Sequence, residues 1–227
     1  MHQIRCVGIL PPVNADTSSS GLRPRSTIAL RSEHDRTSGD VNKNTQQCLT
    51  SITAYRQTTY TKMNHQPEDG FPYYFELAKE NSLHSIFNEI PTIEILQHIS
   101  EEKSKHRYQP DKWSIRQVVG HIADHERIKM FRAFQLSRNK SVQLWGYDQE
   151  SLVKNSRFED LSLQILLTDF MLLRKASISF IDTLSPQQLN IKGRARQYEI
   201  TLEEFLRSIV GHEKHHMRII LEKYEVL

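Results

Sequence analysis

Apolar residues return every three or four positions in four separate stretches of the chain, which is the period of an α-helix with one buried face. In the first, about Ser82–Glu101, the stripe is Leu83, Ile86, Phe87, Ile90, Ile93, Leu96 and Ile99. Pro91 lies inside it and is expected to kink or divide the helix. The second, about Ser114–Ser137, carries Ile115, Val118, Val119, Ile122, Met130, Ala133 and Phe134, and Ser114 with Gln117 forms a capping box at its start. The third runs from about Leu161 to Leu184, where Pro186 stops it. The fourth runs from about Leu202 to Tyr224, with Thr201 and Glu204 as its capping box. No stretch alternates as strands do. Four one-sided helices bury their apolar faces best against each other, so the predicted fold is all-α, a four-helix bundle.

Residues 1–62 have neither period. They hold sixteen Ser or Thr and scattered apolar residues, too little to offset chain entropy by burial. The expectation is a disordered N-terminal tail, a targeting segment, or sequence ahead of a true start at Met63, with the domain spanning 63–227. The connection from Asn139 to Asp160 is long for a bundle. It contains Leu144-Trp145-Gly146-Tyr147-Asp148-Gln149, and either covers a site or patches one end of the core.

Charge and cysteine usage narrow the function. The formal charge is +3, but residues 1–62 carry eight Lys/Arg against four Asp/Glu, and the remainder 22 against 23. A nearly neutral domain offers no electrostatic footprint for nucleic acid. No apolar run is long enough to span a bilayer. Both cysteines, Cys6 and Cys48, lie in the leading segment, so a reducing cytoplasm is the default location.

The candidate chemistry lies in histidines. His212 and His216 are four apart on the fourth helix, so both imidazoles stack on one face and can reach one ion. His215 points further outward. The string His212-Glu213-Lys214-His215-His216 also matches H-E-x-x-H, a zinc-peptidase motif. That reading is weak, because the motif is short and no sheet is predicted to seat a peptide. A third ligand must come from elsewhere, and His121 or His125 on the second helix are the candidates. Glu213 and Glu126 fall inside apolar stripes, so each carboxylate must be paired, hydrogen-bonded or protonated. Glu213 is a candidate general base, and a buried ion pair with an Arg of another helix is the alternative, favoured for Glu126.

Taken in order, several motifs resemble the DinB-like (YfiT-like) family of metal-dependent hydrolases, four-helix bundle proteins found mainly in bacteria. They are Pro72-Tyr73-Tyr74, Pro110-Asp111-Lys112-Trp113-Ser114, Gly120-His121 with Asp124 and Glu126, Gly146-Tyr147-Asp148-Gln149, and Thr201 ahead of Gly211-His212-Glu213-Lys214-His215-His216. The resemblance covers roughly Gly70–Leu227. It implies a divalent metal held by His121, His212 and His216, and it gives no reason to expect DNA binding. Three imidazoles leave positions open for water, the arrangement of a catalytic rather than a structural site. They suit zinc or nickel first, with iron or manganese after them. The functions in view are hydrolysis of a small-molecule substrate, an S-transferase or isomerase using bacillithiol or another low-molecular-weight thiol, and a non-catalytic metal- or ligand-binding bundle. Lys192, Arg194 and Arg196 are candidate cations for a thiol's carboxylates. A homodimer is compatible with any of these.

Overall fold

Short polar side chains set where the helices begin. Ser82 Oγ accepts from the Ser85 amide at 3.1 Å, and Ser162 Oγ accepts from the Ile165 amide at 3.2 Å. Ser114 and Gln117 exchange bonds of 3.2 and 3.0 Å, and Thr201 and Glu204 exchange bonds of 3.1 and 2.7 Å. Each satisfies amide groups that a first turn leaves without a partner. The structure, a computed structural model, describes residues 63–138, 146–195 and 197–226. The expectations for residues 1–62, for Trp145 and for Arg196 lie outside these.

In chain order the helices are α1 (Phe71–Glu76), α2 (Leu83–Asn88), α3 (Pro91–Leu96), α4 (Glu101–Ser104), α5 (Ile115–Arg138), α6 (Gln149–Lys154), α7 (Leu163–Ile181) and α8 (Pro186–Leu189). The strands β1 (Lys192–Ala195) and β2 (Tyr198–Thr201) follow, then α9 (Leu202–Lys223). The second, third and fourth expected helices are α5, α7 and α9. The first is divided: Glu89 and Ile90 leave helical geometry, with ψ of 117° and 69°, and Pro91 opens a new helix at its first position. Proline has no N–H to give the turn before it and pushes its predecessor away from helical ψ. The strands are a finding the periodicity did not contain. They form a small antiparallel hairpin, Lys192 opposite Thr201 and Gly193 opposite Ile200.

Helix α5 packs on α7 and α9, and the α2–α3 segment fills the gap between α7 and α9, closing a four-helix bundle. Helix α1 lies against α9 from outside. The interior holds two apolar clusters. One contains Ile122, Phe170 and Met217, the other Met130, Ile181 and Val210. On α5, α7 and α9 alike, the stretch between the clusters is polar: His125 and Glu126, Arg174 and Ser177, His212 and Glu213 are all buried. The bundle therefore has a polar waist.

Candidate metal centre

The waist carries two constellations. The first lies between α5 and α9. His212 Nε2 is 3.2 Å from His121 Nε2 and 3.1 Å from His216 Nε2, and one ligand nitrogen from each residue lies within 4.8 Å of the other two. Two nitrogens on a tetrahedral zinc with bonds near 2.0–2.1 Å stand roughly 3.3 Å apart, so the observed separations suit a shared ion. The donor chemistry agrees. A ring nitrogen carries one lone pair or one N–H, so His212 Nε2 cannot both donate to one neighbour and accept from the other, whereas a cation takes all three lone pairs. Burial favours the neutral imidazole that a metal needs. It holds the His121 pKa down at about 4, helped by His215, and pushes His212 and His216 well below the ordinary value. His125 does not join the group. Its ring stacks flat on His212, centroids 3.5 Å apart, and its Nδ1 meets the Tyr147 hydroxyl at 2.6 Å.

A glycine precedes the candidate ligand histidine on each helix, Gly120 on α5 and Gly211 on α9. A Cβ on Gly120 would stand 2.5 Å from the Phe158 ring, and one on Gly211 would stand 1.7 Å from the Tyr74 carbonyl oxygen. Both Gly-His steps thus admit a neighbour against the helix just before a candidate ligand. Tyr74 uses this approach to place its ring 5.4 Å from that of His212.

A family model, the DinB superfamily, matches residues 91–220, more than half of the sequence and all three histidines. The chain belongs to the DinB superfamily. A solved structure, YfiT from Bacillus subtilis, is described as "a probable metal-dependent hydrolase with an unusual four-helix bundle topology". It is similar over 72% of this chain and 90% of its own, with a TM-score of 0.53 and 19% identity, a likeness of fold. No curated protein matches the sequence.

In this DinB-superfamily chain the second constellation is an ion cluster. Arg174 Nη2 donates to Glu126 at 2.8 Å and to Glu213 at 2.6 Å. Ser177 Oγ donates to Glu126 at 2.6 Å and Thr92 Oγ1 to Glu213 at 2.7 Å. Burial opposes the Arg174 charge, but Glu213 and Glu126 outweigh it and raise its affinity for the proton. The pairing expected for Glu126 is present. Glu213, the candidate general base, has both carboxylate oxygens engaged here. Arg174 itself was not singled out from the sequence, and its signal was available: a cation within the apolar third helix, opposite two carboxylates within apolar stripes.

The DinB-superfamily bundle also holds a cavity of about 350 Å³ that reaches the three-histidine cluster at His212 and is lined among others by Tyr74, His125, Lys129, Arg132 and Tyr147. Tyr147 comes from the long connection, so the described part of that segment covers the site. The cations expected on the hairpin fall elsewhere: Lys192 is paired with Glu199 at 2.8 Å, and neither it nor Arg194 lines the cavity.

Proposed function

We propose that this protein is a metal-dependent hydrolase of a small substrate, with a divalent ion held by His121, His212 and His216. The convergence of three Nε2 atoms from two helices, on two buried rings and one half-buried ring, carries the reading. A divalent ion bound there supplies Lewis acidity that activates water and polarises an electrophile. The protein's own part is to hold three lone pairs at one point and to keep them unprotonated. The stacked His125 ring and Tyr74 limit how His212 can turn. The cavity admits a molecule of modest size to His212, the triad member that lines it. In this reading Glu213 fixes the rotation of α9 through Arg174 and Thr92. Were it to move a proton instead, Glu213→Gln would flatten one limb of the pH–rate profile while metal content stayed unchanged. Zinc or nickel fits the imidazole set best.

Elemental analysis of the purified protein beside His216→Ala tests the centre. The wild type is expected to retain an equivalent of divalent metal and the variant to lose nearly all of it. Equal content in the two would overturn the site. Assays with simple esters and amides test the reaction. Turnover appearing only when a low-molecular-weight thiol is added would replace hydrolysis by thiol transfer, and no turnover at all would leave a metal-binding bundle.

A further inference from the structure

One stripe of α5 runs from the metal centre along the cavity wall. His121, His125, Lys129 and Arg132 follow at intervals of four, four and three residues, so they share one helix face. At 1.5 Å of rise per residue the last stands roughly 16 Å along the axis from the first. His125, Lys129 and Arg132 all line the cavity, as does the ligand His212 at its inner end.

Arg132 is the member that its own surroundings leave unexplained. It is half-buried, and burial lowers the affinity of its guanidinium for the proton. It donates to the Gly146 carbonyl at 3.4 Å and lies 5.6 Å from the Tyr147 ring centroid. No carboxylate pairs with it among the described residues. A guanidinium has five N–H donors in a planar fork, so most of its hydrogen-bonding capacity remains for something in the cavity. Tyr147, which it covers, is fixed in turn by the 2.6 Å contact with His125. Two acids also line the cavity, Glu68 and Asp69. Asp69 accepts the Gln66 amide at 2.8 Å and is committed to that turn. Glu68 exerts its field on Tyr73, Tyr74 and His215, whereas Lys129 and Arg132 exert theirs on His125. The α5 wall is thus the positive one.

We propose that Arg132 anchors an oxyanion, a carboxylate or phosphate group, of the small molecule whose other end reaches the histidine triad. This extends the hydrolase reading by naming a feature of its substrate, and rests on that reading for what happens at the metal end. The cavity volume suits a ligand of metabolite size.

Calorimetric titration at constant ionic strength tests it, with glutarate, inorganic phosphate and uncharged glutaramide as probes. The wild type is expected to bind glutarate or phosphate and to ignore glutaramide, and the preferred anion tells carboxylate from phosphate. Arg132→Gln should weaken that binding by about tenfold to a hundredfold, the range of charge-assisted hydrogen bonds. Arg132→Lys, which keeps charge without the fork, should fall between. Equal affinity in Arg132→Gln and wild type would overturn the proposal, as would no affinity for either anion. Loss in His216→Ala with retention in Arg132→Gln would also overturn it, by placing the anion on the metal. Metal content measured on the same samples keeps the two readings apart: a metal-free wild type that still binds anion through Arg132 would sink the hydrolase and leave the anchor standing.

Discussion

Arg174 is fully buried, yet it carries a charge, because Glu126 and Glu213 reach it with bonds of 2.6–3.1 Å. Such a cluster owes little to Coulomb attraction net of desolvation, but breaking it strands charge in the interior. Arg174→Met is therefore expected to cost about 3–5 kcal/mol in urea unfolding. Adding Glu126→Gln and Glu213→Gln to it should recover part of the loss. A penalty of less than about 1 kcal/mol for the single variant would mean that water or another cation reaches the carboxylates. At this scale the sequence was legible where a residue type is chemically narrow. The spacing of His212 and His216 marked them as a pair, and the position of Glu126 in an apolar stripe required a partner. His121 and His125 were not separable that way, since both sit on the same face of one helix. What separates them is the stacking of His125 on His212, a contact across 87 positions of sequence that no local pattern encodes.

The long helices owe their positions to periodicity and caps, and so they could be read in advance. α9 shows the balance most clearly. Its start is held by the reciprocal Thr201–Glu204 bonds, and Thr201→Ala should cost about 1 kcal/mol by chemical denaturation. Its middle is held by contact with α1 at Gly211. There Gly211→Ala must displace the Tyr74 backbone, since the added methyl has no flexible side chain to push aside. The expected result is a weaker grip on metal at little change in helix content, seen by competition with a chelator beside circular dichroism. Unchanged metal affinity would show that α1 does not brace His212. The hairpin β1–β2 went unseen because four-residue strands carry too little alternation to stand out. The split at Glu89–Ile90 was visible only as a proline, which says that a helix is interrupted but not whether it bends or breaks.

For the whole molecule, the buried imidazoles set a pH limit on the metal-free protein. His121 and His215 are each held at about 4, chiefly by burial. The unfolded chain takes up their protons near 6.5 while the folded one does not. Protons bound by the unfolded state exceed those bound by the native one between those values, so stability falls as pH drops from about 6.5 toward about 4. Urea midpoints of chelator-treated protein at pH 7 and pH 5 check this, with the lower midpoint expected at pH 5, a range in which ordinary carboxylates stay ionised. Equal midpoints would contradict the burial of these rings. The described helices include none long and apolar enough to cross a membrane.

The contact between His121 and His212 joins positions 91 residues apart in the chain. An ion gripped by both is then a reversible cross-link, closing a loop as long as those for which disulfides are reckoned most effective. Loading should protect the backbone amides of α5 and α9 from exchange with deuterated solvent, and leave those of the β1–β2 hairpin nearly as before.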